Sequence, residues 1–254
     1  MVTVGCQQEE KARPPALASD DGFSGGPIAA GTSRGGADGS TTGPSSPAAD
    51  ASGKLTKFED DAFRAVSEYL EPVNIYVIDE KGLDFTLGEG GDGTFSVPGV
   101  EPRADTWILV EPVTDKSSMA TLSVHDSRTG ALRVPLVPIN VLQGVLSTIQ
   151  SDPTTPSSIA AQLLLRIVDG AGQPVKGVKI FVQGGPDITY ATADTWGEFR
   201  DNTDSNGLAL VYNMPARSRP GQEFTISLSG SVDKEVDARV IAGAITVLTI
   251  NVDP

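Results

Sequence analysis

The sequence predicts a mainly β protein: two tandem Greek-key β-sandwich domains, preceded by a disordered tether and a short helix. From residue 72 onward, short segments alternate apolar and polar residues, which is the period of a β-strand. Turn-forming pairs such as Asp92-Gly93 and Asn206-Gly207 separate these segments. Residues 1–53 lack the pattern and are rich in Gly, Ser, Ala, Pro and Thr.

Residues 1–53 are predicted to be the tether, because this composition buries too little apolar surface to offset the entropy of ordering. Cys6, the single cysteine, follows residues 3–5 in an order similar to the end of a bacterial lipoprotein signal, although Thr3 stands where an aliphatic residue is usual. The resemblance implies lipidation at Cys6. Gln7, where inner-membrane lipoproteins have Asp, implies the outer membrane or cell surface. The alternative is an incidental thiol in a flexible tail.

Residues 54–150 are predicted to form the short helix and the first sandwich. The helix rests on apolar residues at helical spacing before Pro72; they are Leu55, Phe58, Ala62, Val66, Tyr69 and Leu70. We expect the helix to pack on the sandwich; a membrane-lying helix is the alternative, but such helices normally carry Lys or Arg on the polar face. Residues 139–149 show helical spacing too, with two strands as the alternative.

Residues 151–158 contain two prolines and are predicted to be a stiff linker before the second domain, residues 159–254. In that domain a Gly-Gln-Pro-Val-Lys-Gly segment at 172–177 precedes one apolar strand, and Thr-Asp-Ser-Asn-Gly at 203–207 precedes another. This order resembles the carboxypeptidase regulatory-like domain, a transthyretin-like β-sandwich often found outside the cell. The resemblance implies a structural or binding role beside other proteins.

Composition limits the classes of partner. The formal net charge of −14 repels nucleic acid and anionic lipid, and no apolar run approaches the roughly 20 residues of a membrane helix. A single cysteine allows no internal disulfide. We therefore predict a protein partner, no nucleic acid, and membrane contact only through a lipid anchor.

Catalytic chemistry is not predicted, and neither is a cofactor. His125, the single histidine, is followed by Asp126 and Ser127, but neighbours on a strand point to opposite faces and cannot form a catalytic relay.

The segment from residue 194 to residue 207 is predicted to be the candidate ligand loop. Its carboxylates and amides suit calcium, and the residues in question are Asp201, Asn202, Asp204 and Asn206. Asn213 stands where a calcium loop would have its bidentate Glu, and turn formation is the alternative explanation. Three aromatic residues, Tyr190, Trp196 and Phe199, could form a sugar-stacking platform, or else cover the open end of the core.

Together these features predict a non-catalytic envelope or cell-surface protein. We expect it to act as a structural or protein-interaction module in an extracytoplasmic assembly. The alternative is a carbohydrate-binding module that uses the Trp196 loop.

Overall fold

The structure is a computed structural model, and it describes residues 51–78, 85–97, 106–124, 132–149, 159–193, 195–197 and 200–252, with only the backbone for 85–91. Residues 1–50 of the predicted tether, including Cys6, lie outside the described residues, as do the predicted linker 151–158 and His125. Residues 51–53, predicted to be the end of the tether, form the start of a strand, because they pair with residues 95–97. None of the helices in the described ranges is long and apolar enough to cross a membrane.

Before the helix, the described chain forms eight strands. They are β1 Ala51–Phe58, β2 Val66–Glu68, β3 Val73–Ile78, β4 Phe85–Gly91, β5 Thr94–Val97, β6 Trp107–Pro112, β7 Ala120–Val124 and β8 Leu132–Leu136. After helix α1, Ile139–Ile149, eight more strands follow. They are β9 Ala160–Val168, β10 Val178–Val182, β11 Asp187–Ala191, β12 Trp196–Gly197, β13 Leu208–Pro215, β14 Gln222–Gly230, β15 Lys234–Val240 and β16 Ala244–Asn251.

Thirteen of these strands form one sheet, in the order β12-β11-β13-β9-β16-β7-β6-β3-β4-β5-β1-β2, with β8 paired to β1. The other three form a small sheet in the order β10-β14-β15. Strand β16 pairs in parallel with β9 on one side and with β7 on the other. The last strand of the chain therefore joins the strands of both predicted domains in one sheet.

The first half of the large sheet curls around its own core. Strand β1 pairs with β2 and β5 and also, in parallel, with β8. Strand β8 returns beside β7, where the Met119 amide donates to the Val137 carbonyl at 2.9 Å. The enclosed side chains alternate along their strands with outward ones; they include Leu55, Ile75, Val77, Phe95, Ile108, Val110 and Val134. Gly53 lies where β1 passes closest to this core, and a Cβ there would lie 2.2 Å from the Leu132 carbonyl oxygen.

The second half is a β-sandwich. The small sheet packs on one face of β13, β9 and β16, and apolar side chains from both layers form the core between them. These include Leu163, Leu165, Ile167, Val178, Ile180, Ile226, Leu228, Val240 and Leu248. The mainly β fold predicted from the period-two segments is confirmed.

Helix α1 covers the opposite face of the same strands. Its buried residues Leu142, Val145, Leu146 and Ile149 are those that the helical spacing selected, so the prediction of a helix at 139–149 is confirmed. They pack on the face of β9 that carries Leu164. Because both faces of β9 are covered, its sequence is apolar almost without alternation.

The predicted helix near residues 54–71 is wrong, because this segment forms β1, a loop and β2. The second half of β1 is buried on both faces: Leu55 points into the core of the curled sheet, and Phe58 points into the core under α1. Leu55 and Phe58 are three positions apart and lie on opposite faces of the strand. The same spacing would place them on one face of a helix. Pairing with β8 on one side and with β5 and β2 on the other satisfies the β1 backbone as a strand.

Candidate functional site

Trp196, the centre of the predicted aromatic platform, is buried. It lies on β12, only 4% of its surface is exposed, and its indole Nε1 donates to the Asp61 carbonyl at 2.7 Å. The ring of Phe63 meets it edge to face, with centroids 5.8 Å apart. The loop between β1 and β2 thus covers this ring.

Phe63 adopts an unusual backbone conformation to make this contact. Its φ of 52° lies in the left-handed region, which is costly for a bulky side chain. The ring also packs edge to face on Phe58, at 5.1 Å between centroids. Because the strain persists next to two aromatic contacts, we infer that ring packing holds the loop in place.

Tyr190 is also buried, which raises the pKa of its hydroxyl. The hydroxyl accepts a hydrogen bond from the Ile180 amide at 3.0 Å, so it satisfies a backbone donor of β10. Phe199, the third ring, lies outside the described residues. Two of the three predicted rings are therefore inside the protein, and the structure contradicts an exposed platform at Trp196 and Tyr190, because stacking on a sugar needs accessible ring faces.

Two of the predicted calcium ligands have partners within the protein. The Asp204 carboxylate accepts from Lys176 Nζ at 3.0 Å and from Arg200 Nη1 at 3.1 Å, and the hydrogen bond from Lys176 is the main cause that lowers its pKa. Buried Asn206 donates to the Thr192 carbonyl at 2.7 Å.

The other two predicted ligands, Asp201 and Asn202, are exposed. Within the described ranges, His, Cys, Asp and Glu side chains do not gather in groups of three that could hold a metal ion. Residues 204–207 do form a turn, because the Gly207 amide donates to the Asp204 carbonyl at 3.0 Å. Calcium binding at these residues stays a prediction.

Thr203 has a structural role that the sequence did not indicate. Its hydroxyl accepts from the Val178 amide at 3.0 Å, and its own amide donates to the Val178 carbonyl at 2.9 Å. The same hydroxyl donates to the Val175 carbonyl at 2.8 Å. This loop therefore closes part of the outer edge of β10.

An open cleft of about 510 Å³ lies beside β2. Three carboxylates and one ammonium group are among its lining side chains; the lining residues are Lys57, Glu68, Tyr69, Leu70, Glu71, Thr114, Asp115 and Ser117. None of these residues was predicted from the sequence to belong to a site. Tyr69 and Asp115 are 46 positions apart, and only the curl of the sheet brings them together.

Asp115 organises the floor of the cleft. Its Oδ1 accepts the amide of Ser117 at 2.8 Å and the hydroxyl of Ser117 at 2.5 Å. Its Oδ2 accepts the hydroxyls of Ser118 at 2.7 Å and of Tyr69 at 3.2 Å. Partial desolvation raises the pKa of Asp115, but these donors outweigh it and hold the pKa at about 2. The carboxylate is thus ionised and fixed at neutral pH.

Three exposed apolar side chains lie on the segments that border the cleft, and one of them, Leu70, lines it. Val66 is 41% exposed, Leu70 61% and Val113 42%, and we call these three residues the β2 patch. Val66 and Leu70 project from the same face because they are four positions apart on an extended chain. The Val113 amide donates to the Pro72 carbonyl at 3.0 Å, which holds Val113 near the end of the β2 segment. Clustered exposed apolar side chains with a polar rim are typical of an interaction surface.

Comparison with known proteins shows no family. No family model matches the chain, and no curated protein matches it. Among solved structures, a streptococcal ancillary pilin is 10% identical, with 81% of this chain and 69% of that chain covered, at a TM-score of 0.25. The shaft pilin SpaA of Lactobacillus rhamnosus GG is 12% identical, with 80% and 98% covered, at 0.23.

A family 26 carbohydrate-binding module from Eubacterium rectale, solved with maltoheptaose, is 10% identical, with 80% and 92% covered, at a TM-score of 0.24. Superpositions this loose carry no argument about family or function. The carboxypeptidase regulatory-like resemblance and lipidation at Cys6 stay predictions.

Proposed function

We propose that this protein is a non-catalytic interaction module of an extracytoplasmic assembly, and that it binds a protein partner through the β2 patch and the adjoining cleft. The observation that carries the proposal is the exposure of Val66, Leu70 and Val113 on segments that border a cleft with a hydrogen-bonded floor. A rigid surface loses little conformational entropy on binding, which favours affinity.

The cleft itself supports a binding role over a catalytic one. Acid–base catalysis near neutral pH needs groups whose pKa values lie near that pH. Here the pKa of Asp115 is held at about 2, and burial together with the charge of Asp115 raises that of Tyr69 above its ordinary value. Neither group exchanges a proton readily at neutral pH.

Location outside the cytoplasm rests on the sequence. The resemblance of residues 172–215 to a domain common outside the cell supports it, and so does the lipoprotein-like order that ends at Cys6. Lipid anchoring at the outer membrane or cell surface is part of the proposal. The carbohydrate alternative is weaker than the sequence suggested, since Trp196 and Tyr190 offer no accessible platform.

The test is site-specific crosslinking in the organism that produces the protein. A photoreactive residue at position 70 should crosslink one protein partner, and Leu70→Asp should abolish capture of that partner by the full chain. Phe181→Asp is the matched control, because Phe181 is 62% exposed on the small sheet, outside the β2 patch. Equal capture by both variants would refute the proposed surface.

A further inference from the structure

The sheet edges differ in how their backbone groups are satisfied. Strand β10 is one edge of the small sheet, and its Val178 and Ile180 amides point away from β14. The hydroxyls of Thr203 and Tyr190 accept these two amides. A partner strand therefore finds this part of the β10 edge closed.

Strand β15 is the other edge of the small sheet. The Arg239 carbonyl already accepts the Thr246 hydroxyl at 2.7 Å, and the exposed side chains of Glu235 and Asp237 place charge along the strand. Charged side chains on an edge strand disfavour pairing with another chain. Strand β12 has only two residues, and its covered Trp196 leaves no side chain there for a partner to contact.

Strand β2, at the end of the large sheet, is different. The Tyr69 amide donates to the Leu55 carbonyl, and the Glu59 amide donates to the Ala65 carbonyl, which directs the odd-numbered residues of this segment toward β1. Backbone groups alternate in direction along an antiparallel strand, so those of Val66 and Glu68 point away from β1. Within the described part of the chain, neither residue has a backbone hydrogen-bond partner on that side.

We infer that an extended segment of the partner adds to β2 as a further strand and places basic side chains toward the cleft. This inference rests on the proposed function and specifies how the partner binds. Backbone pairing with Val66 and Glu68 would provide the hydrogen bonds, and alternate apolar side chains of the segment would contact Val66 and Leu70.

The occupant is assigned as basic on grounds of charge. Glu68, Glu71 and Asp115 line the cleft against Lys57, and the whole chain carries −14. A field of one sign speeds the encounter with a segment of opposite sign and disfavours a like-charged partner, including a second copy of this chain.

A defined peptide tests the inference on the full chain. The probe is acetyl-(Lys-Val)₃-amide, with two matched controls: the same sequence with every backbone amide N-methylated, and acetyl-(Glu-Val)₃-amide. Binding is measured by calorimetry, and the site is located by NMR shifts of the Val66 and Glu68 amides. N-methylation removes the backbone donors and keeps the charge, so affinity should fall roughly tenfold or more if pairing occurs.

The expected result is that the Lys-Val peptide shifts the Val66 and Glu68 amides, the N-methylated peptide binds at least about tenfold more weakly, and the Glu-Val peptide does not bind. Equal binding of the first two peptides would overturn strand addition while leaving the β2 patch as the docking surface. No binding of any peptide would also overturn strand addition, and the crosslinking at position 70 would then decide the proposed function by itself. Self-association that Leu70→Asp abolishes would assign the edge to a second copy and overturn the basic partner.

Discussion

The contact between Trp196 and the β1–β2 loop can be tested by substitution. Trp196→Phe removes the indole donor to the Asp61 carbonyl and leaves space in a site that is 4% exposed. The lost hydrogen bond should cost ~1 kcal/mol. This is the low end of the cost of leaving a buried group unpaired, because Asp61 is exposed and water can reach its carbonyl. The smaller ring should cost a further ~1–2 kcal/mol in lost packing. We expect the free energy of unfolding to fall by about 2–3 kcal/mol.

Chemical denaturation monitored by circular dichroism measures this change, with Phe63→Leu made alone and together with Trp196→Phe. An edge-to-face pair contributes about 0.5–1.5 kcal/mol beyond its buried area, so the two losses should not add. The coupling reports whether the loop docks on β12. If Trp196→Phe changes the stability by less than ~0.5 kcal/mol, or if the losses are additive within that margin, the packing described for Trp196 is wrong.

Three further outcomes are expected. The folded pKa of Asp115, about 2, lies below its ordinary 3.8, so its stabilisation is complete above about pH 4 and is lost as the pH falls toward 2. Acid titrations of stability should show that Asp115→Asn removes up to ~2 kcal/mol of this dependence. Gly53→Ala should cost at least ~1–3 kcal/mol by denaturation, because the new methyl group meets the Leu132 carbonyl. Tyr190→Phe leaves the Ile180 amide unpaired and should cost ~1–3 kcal/mol, with faster hydrogen exchange at that amide; an unchanged exchange rate would contradict the bond.

The sequence predicts the fold class well because strand periodicity is local. The alternation in residues 224–228 and the helical spacing of residues 139–149 both report on neighbours a few positions away. Strand β1 was mistaken for a helix for a physical reason. Its second half has a core on each face, so apolar residues occur at three-residue spacing in an extended chain. Periodicity alone does not distinguish a strand buried on both faces from a short helix.

The candidate site could not be predicted in the same way. Tyr69 was predicted to be part of a helix face, and Asp115 belongs to none of the motifs that the sequence shows. Their hydrogen bond exists because the curled sheet places the end of β2 against the loop after β6. The Trp196 loop was predicted, as the alternative, to bind sugar because aromatic rings can stack on it, yet aromatic residues are also those that bury the most surface.

The parallel pairings of β16 make the cleft dependent on the whole chain. Residues 244–251 form β16, which lies between β7 of the first half and β9 of the second. Without β16, one edge of β7 is unpaired. Trp107, Leu109 and Leu122 also lose part of the core that they share with the sandwich. Arg219 adds a second connection, since its guanidinium lies 4.3 Å from the centre of the Tyr76 ring. A fragment that ends before β9 therefore lacks the contacts that hold β6 and β7, and with them the loop of Asp115, so binding at the β2 patch has to be measured on the full chain.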